Sequence, residues 1–190
     1  MKKKITAKAI IIPAAALLII CLVATTLLAA TNSVTAKKIA ENQVEKENSS
    51  RAIVLPEATE FSDVTTLENG ITYCVGTKDS KDMGYVFTSG AKGYGGTVSV
   101  MIGMDTEGVI TGIEILSHDE TPGLGANSTK PEFKERFIGK IGELTVNKTS
   151  NDGQNVQAIT AATITSKAVV SAVNAATAAF ETIKGGASNG

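Results

Sequence analysis

A single histidine, His118, and two cysteines, Cys21 and Cys74, make up the whole imidazole and thiolate ligand supply of this 190-residue chain. No CxxC pair, HExxH helix or histidine cluster can be assembled from them, which argues against a protein-built transition-metal centre. Triad hydrolysis is equally unsupported. So is a disulfide, since Cys21 lies in an unbroken apolar run and Cys74 in an alternating, strand-like one. The glycine-bearing segments match neither GxGxxG nor a Walker sequence, which argues against dinucleotide and ATP sites. Excess basic charge is missing as well. Lys2, Lys3, Lys4 and Lys8 all precede the apolar run, and without them the 18 basic residues fall to 14 against 19 acidic ones. Such a balance offers no basic face to nucleic acid.

Long apolar sequence, by contrast, is present. Residues 9–30, AIIIPAAALLIICLVATTLLAA, are uncharged and match the roughly 20 residues that a helix needs to cross a bilayer. The expectation is one transmembrane helix over 9–30 in the cell (inner or plasma) membrane. The upstream lysines keep residues 1–8 cytoplasmic and send the rest of the chain to the extracytoplasmic side. Pro13 is expected near the first turn, where its missing N–H costs little. A cleaved signal peptide is the competing reading; Leu28 stands where a small residue would precede cleavage after Ala30. A lipoprotein signal ending at Cys21 meets bulky Ile20. Residues 31–55 form a juxtamembrane stalk whose polar part, 31–52, has only Val34, Ile39 and Val44 to bury. The stalk reads equally as a solvated helix broken at Asn48-Ser49-Ser50 or as an unstructured linker.

After Pro56 the pattern changes to short alternating runs punctuated by glycine, as strands require. Ile71-Tyr73-Val75, Tyr85-Phe87, Val98-Val100-Ile102-Met104 and the stretch Val109 to Leu116 predict an antiparallel sheet with one buried face. Asp105-Thr106-Glu107-Gly108 is its hairpin turn. Ser128 or Thr129 is expected to cap a helix running to Lys140, with Pro131 in its first turn and Phe133 and Phe137 facing the core. Leu144 to Val146 suits a last strand and Asn151-Asp152-Gly153 a turn. Ser166 to Ile183 suits a helix burying Val169, Val173, Ala176 and Phe180. Sheet and helices in this order give an α+β domain over 56–184, followed by a flexible tail, 185–190.

The chemistry concentrates in three segments. Thr160-Ala161-Ala162-Thr163-Ile164-Thr165-Ser166 opens the last helix. Free N–H groups and the positive end of the helix dipole make such a start a place to hold phosphate, and an ordinary Ser/Thr cap is the plain alternative. Gly93-Tyr94-Gly95-Gly96 and Pro122-Gly123-Leu124-Gly125 flank neighbouring strands. There glycine serves either turn geometry or close approach to a flat ligand. Together they supply what flavin mononucleotide needs: backbone amides, a slot for the ring and an anchor for the phosphate.

These segments, with His118-Asp119-Glu120-Thr121 leading into the second and Ala158-Ile159 and Lys167 bounding the third, closely resemble the G subunit of the Rnf electron-transport complex. That protein is a relative of the C subunit of the sodium-pumping NADH:quinone oxidoreductase. The resemblance spans essentially the whole chain, and the sequence ETPGLG is its most specific part. It implies FMN joined by a phosphoester to Thr163, with Thr160 as the first hydroxyl of the attachment motif, installed by a flavin transferase that uses FAD as donor. Thr160, Thr165 and Ser166 would hydrogen-bond the phosphate beside Ala162, and Lys167 would offset its charge. Glu120, Thr121, Pro122, Gly123, Leu124 and Gly125 would form one wall of the flavin site, with Tyr94 and Gly95 from the first glycine loop. For His118 a structural hydrogen bond is expected ahead of any tuning of the flavin. The flavin performs the redox chemistry, so no catalytic side chain and no metal is expected.

Two positions depart from the family pattern. Ala161 stands where glycine is usual, which suits a tight turn if its φ is negative, and Gln157 stands where the transferase motif usually has an acid. The implied function is electron relay by a membrane-anchored flavoprotein. It would work with the other membrane and peripheral subunits of a complex coupling ferredoxin oxidation and NAD reduction to ion movement. The rival readings are a C-subunit-like component of the sodium-pumping quinone reductase, another extracytoplasmic electron-transfer flavoprotein, and a non-redox interaction domain on the same fold.

Overall fold

A computed structural model describes residues 7–187. The expected cytoplasmic terminus, apart from residues 7 and 8, and the last three residues of the expected tail lie outside the described residues. By its internal contacts the chain divides after Glu45 into two units. In the first, helix α1 (Ala7–Val54) begins and contains a span, Ile10–Ser33, long and apolar enough to cross a membrane, with a mean hydropathy of 2.7. The hydroxyls of Thr25, Thr26, Thr31 and Ser33 bond back to carbonyls three or four residues earlier, so their polarity is satisfied within the helix. Because α1 already starts at Ala7, Pro13 lies beyond the first turn and inside the helix, at the cost of one backbone hydrogen bond.

The expected break at Asn48-Ser49-Ser50 does not occur. α1 runs through it to Val54, because local bonds occupy the polar side chains: Ser49 Oγ donates to the Lys46 carbonyl at 3.2 Å and Arg51 Nη1 to Asn48 Oδ1 at 2.9 Å. Ser50 is buried, as are Val54 and Leu55. The second unit accordingly begins at Lys46, ahead of the expected boundary at Pro56, because the end of α1 belongs to its core.

That core is built on a mostly consecutive antiparallel sheet: β1 (Glu60–Phe61), β2 (Thr65–Thr66), β3 (Thr72–Lys78), β4 (Lys81–Lys92), β5 (Thr97–Asp105) and β6 (Ile110–Ser117), in the order β1-β3-β4-β5-β6 with β2 also on β3. The Asp105 turn forms as expected, its carboxylate accepting the N–H groups of Glu107 and Val109. Both faces of the sheet are buried, not one. Val100, Ile102, Met104, Ile113 and Ile115 pack with Val169, Val173, Ala176 and Phe180 of α3 (Thr163–Ala187). On the opposite face Val54, Leu55 and Ala58 cover Cys74, Val86, Met101 and Leu116. The polar stalk hid this second face from a reading of periodicity, since only its last residues are apolar.

In place of the capped helix from Ser128 to Lys140 there are three short helical turns: Gly125–Thr129, α2 (Pro131–Lys134) and Glu135–Phe137, none with a side-chain cap. Phe133 and Phe137 are nonetheless buried and meet edge to face. β7 (Thr145–Asn147) pairs in parallel with β8 (Asn155–Gln157), a partner that three residues after a turn do not announce. Asn174 of α3 brackets Leu144 through both its amide groups, which fixes β7, and through it the segment leading to α3.

Gly103 of β5 lies against the end of α1, where an added Cβ would run into the Val54 carbonyl. Backbone cannot yield there as a flexible side chain could, so Gly103→Ala is expected to destabilise the domain by about 1–3 kcal/mol. Denaturant unfolding of the detergent-solubilised chain measures it, and an unchanged midpoint would refute the close docking.

Candidate functional site

The site begins with how α3 starts. Asn147 accepts the Ala158 N–H at 2.7 Å, Ile159 accepts that of Ala162 at 3.0 Å, and the chain then turns into the helix at Thr163. Ser166 closes this turn from inside: its hydroxyl accepts from Ile159 N at 2.9 Å and donates to the Ala162 carbonyl at 3.0 Å. Ala161 takes φ +62°, in the left-handed region. The condition of a negative φ, under which alanine would suit the turn without strain, is therefore not met. The turn demands the conformation glycine takes most easily, and alanine adopts it at some cost.

Two residues into the helix, fully buried Thr165 donates its hydroxyl to Glu120 Oε2 at 2.5 Å. The other oxygen of that carboxylate accepts the backbone N–H groups of Tyr94 at 2.8 Å and Gly95 at 3.1 Å. The Glu120 N–H in turn donates to His118 Nδ1 at 3.2 Å, the structural bond expected of that histidine. An added Cβ at Gly93 or Gly125 would run into the Glu120 carboxylate, so these glycines are needed for close approach. Burial pushes the Glu120 carboxyl up, but the Thr165 hydroxyl and the Gly95 and Tyr94 N–H groups outweigh it and hold the group below the ordinary carboxylate value.

Around this tie lies a cleft of about 470 Å³ lined by Tyr94, Glu120, Thr121, Leu124, Gly125, Ala161, Ala162, Thr163, Ile164 and Thr165. Its volume lies in the range of small-molecule sites. Half-buried Thr163 is the first residue of α3, and the N–H groups of that first turn, at the positive end of the dipole, suit a phosphate. Tyr94, Leu124 and Ile164 are exposed and give the cleft an apolar rim fit for a ring. These residues fit FMN.

Most of the residues expected at the site meet here, but not all. Thr160 and Gly123 line a neighbouring cleft of about 410 Å³ together with Lys130, Arg136 and Gln157. Pro122 and Lys167 are exposed and outside the lining. The Ser166 hydroxyl is spent on the turn, and Gly95 contributes through the Glu120 carboxylate. Ile164 was not expected; its one signal is a large apolar side chain lying off the buried stripe of its helix. Arg136, which donates to the Gln157 carbonyl at 2.6 Å, had no local signal.

An α+β domain with a phosphate-suited helix start opening on a ring-sized, apolar-rimmed cleft is a flavin-binding module. Matching agrees: the FMN-binding domain family covers residues 93–178 and the RnfG N-terminal region covers residues 1–51. The G subunit of the proton-translocating ferredoxin:NAD(+) oxidoreductase complex of Clostridium ljungdahlii is 35% identical over 159 residues, 83% of this chain and 84% of that one. The Na(+)-translocating counterpart from Acetobacterium woodii is 40% identical over 165 residues, 77% and 79% of the two chains. Among solved structures, the C subunit of the Na(+)-translocating NADH-quinone reductase from Parabacteroides distasonis aligns with TM-score 0.50 and 26% identity over 59% of this chain and 61% of that one. The chain belongs to the family of G subunits of Rnf ion-translocating oxidoreductase complexes.

Ala161→Gly is expected to stabilise the domain by about 1 kcal/mol by relieving the left-handed alanine, read as a higher unfolding midpoint. No gain would mean that the turn relaxes to negative φ in solution. Glu120→Gln removes the charge from three hydrogen bonds and is expected to cost about 1.5–3 kcal/mol. Because the folded pKa is lowered, the Glu120 contribution is complete above the ordinary glutamate value of 4.5 and is lost as pH falls through the folded value. A pH series of unfolding midpoints should converge for wild type and Glu120→Gln only in that acidic window; parallel curves throughout would contradict it.

Proposed function

We propose that Thr163 carries FMN as a phosphoester and that the chain relays electrons within an Rnf-type ferredoxin:NAD oxidoreductase complex. The observation that carries this reading is the position of Thr163: first residue of α3, lining the cleft, half-buried, at the positive end of the helix. Attachment is a phosphoryl transfer performed by a flavin transferase. The Thr163 Oγ displaces AMP from the FMN phosphorus of FAD, one O–P bond replacing another, and the hydroxyl proton is released with AMP. Ala161 in the left-handed region supports the reading, since the turn keeps the shape that glycine would give it.

When bound, FMN supplies the electron-carrying chemistry. The residues of this chain hold it: the first turn of α3 and Thr163 at the phosphate, with Leu124, Ile164 and Tyr94 at the ring. The Glu120 tie keeps these parts in register. The span Ile10–Ser33 anchors the domain in the cell membrane as a single pass, with the N-terminus cytoplasmic and the domain outside, where a tether prevents loss of a cofactor that could not readily be replaced. The other Rnf subunits are its partners. A role as the C subunit of the quinone reductase is disfavoured by the match of residues 1–51 to the RnfG N-terminal region.

Coexpression with a flavin transferase should add the mass of one FMN less water to the intact chain and leave flavin fluorescence on a denaturing gel. Thr163→Ala should abolish both signals, and Thr160→Ala should reduce but not eliminate them. An adduct persisting in Thr163→Ala would place the attachment elsewhere, and no adduct on the wild-type chain would sink the covalent reading.

A further inference from the structure

Strand β6 contains two β-bulges. Opposite Ser99 and Val100 it pairs Ser117 and Ile115, leaving Leu116 as an extra residue; opposite Gly103 and Met104 it pairs Gly112 and Ile110, leaving Thr111 extra. Bulges disturb the ladder locally and re-aim the strand. Here both are met by the final turns of α1. The Thr111 hydroxyl donates to the Val54 carbonyl at 2.5 Å. The Lys46 ammonium donates to the Ile115 and Leu116 carbonyls at 3.0 and 2.5 Å. Lys46 and Val54 are eight residues apart, roughly 12 Å along a helix, and Thr111 and Leu116 five apart, roughly 16 Å along a strand, so the two contacts fit one splint.

The Leu116 bulge stands at the end of β6, directly before Ser117 and His118, and Glu120 follows. We propose that Lys46 is a positioning residue for the FMN site. By holding both carbonyls at this bulge it sets the direction in which β6 delivers Glu120 to the Tyr94 and Gly95 amides and to Thr165. A positive charge on two carbonyls gives charge-assisted hydrogen bonds, and here one ammonium makes both. A residue of the polar stalk thereby acts on the cofactor site through a strand, without touching the cleft.

This inference rests on the flavin reading for its purpose but not for its test. Amide hydrogen exchange is measured on the full-length, unflavinylated chain in nanodiscs for wild type, Lys46→Met and Lys46→Arg. In Lys46→Met the Tyr94 and Gly95 amides, which Glu120 holds, should exchange on the order of tenfold faster, the scale set by losing a hydrogen bond to a charged group. The amides of central β4 and α3 should be unchanged, and Lys46→Arg should restore protection. Thr111→Val, which opens the other end of the splint, should leave Tyr94 and Gly95 protected. Unchanged exchange at Tyr94 and Gly95 in Lys46→Met overturns the proposal, as does a uniform acceleration of all amides. With a flavin transferase present, Lys46→Met should also slow adduct formation by a similar factor. If the wild-type chain takes no flavin, the flavin reading fails while the exchange result still decides the role of Lys46.

Discussion

One carboxylate holds the site of this protein together. Glu120 receives two backbone amides from the glycine loop after β4 and a hydroxyl from the first turn of α3, joining parts of the chain 25 to 45 residues away from it in sequence. Taking a carboxylate out of water is unfavourable unless its oxygens are satisfied, and a satisfied buried network specifies a single arrangement. The consequence is geometric. Gly93 and Gly125 have no room for a side chain because the carboxylate fills it, and the start of α3 cannot shift relative to the loops without breaking the bond to Thr165. The cleft between them is the space left when those three segments are pinned to one point.

The sheet lets this tie be rigid because both of its faces are packed. α3 covers one with Val169, Val173, Ala176 and Phe180, while Val54 and Leu55 at the end of α1 cover the other. Gly103 and Gly112 let the backbone of α1 come close to β5 and β6, and the Thr111 hydroxyl takes the Val54 carbonyl at the helix end. A segment that is polar in composition is thus part of the domain's core and not only a connection to it. The flavin chemistry asks little of side chains beyond orientation, and orientation is what this packing provides.

Much of this was legible in the residues. Val98-Val100-Ile102-Met104 and Asp105 to Gly108 announced strand and hairpin because alternation and turn chemistry are local properties. The stripe Val169, Val173, Ala176 and Phe180 announced α3 for the same reason. The failures also have a local explanation. Asn48-Ser49-Ser50 carried turn-forming side chains, but those of Asn48 and Ser49 found partners within the helix and tertiary burial of Val54 and Leu55 kept the helix intact. Ser128, Thr129 and Pro131 looked like a helix start, yet they lie in short turns without side-chain caps, beside the buried Phe133 and Phe137. β8 is three residues long and depends on β7 beside it.

The same division holds at the site. Sequence by itself determined that the chain has an apolar membrane-length segment, an α+β domain, a hydroxyl-bearing helix start at Thr163 and two glycine loops, because each of these is written in consecutive residues. Only the tertiary structure decided that Ser166 serves the turn rather than a phosphate, that Thr160 opens on a neighbouring cleft, that Ile164 joins the rim and that Ala161 turns left-handed. It also decided that Glu120 binds amides and a hydroxyl far from it in sequence. A hydrogen bond between residues 45 apart leaves no periodicity and no motif; it exists only once folding has brought donor and acceptor within reach.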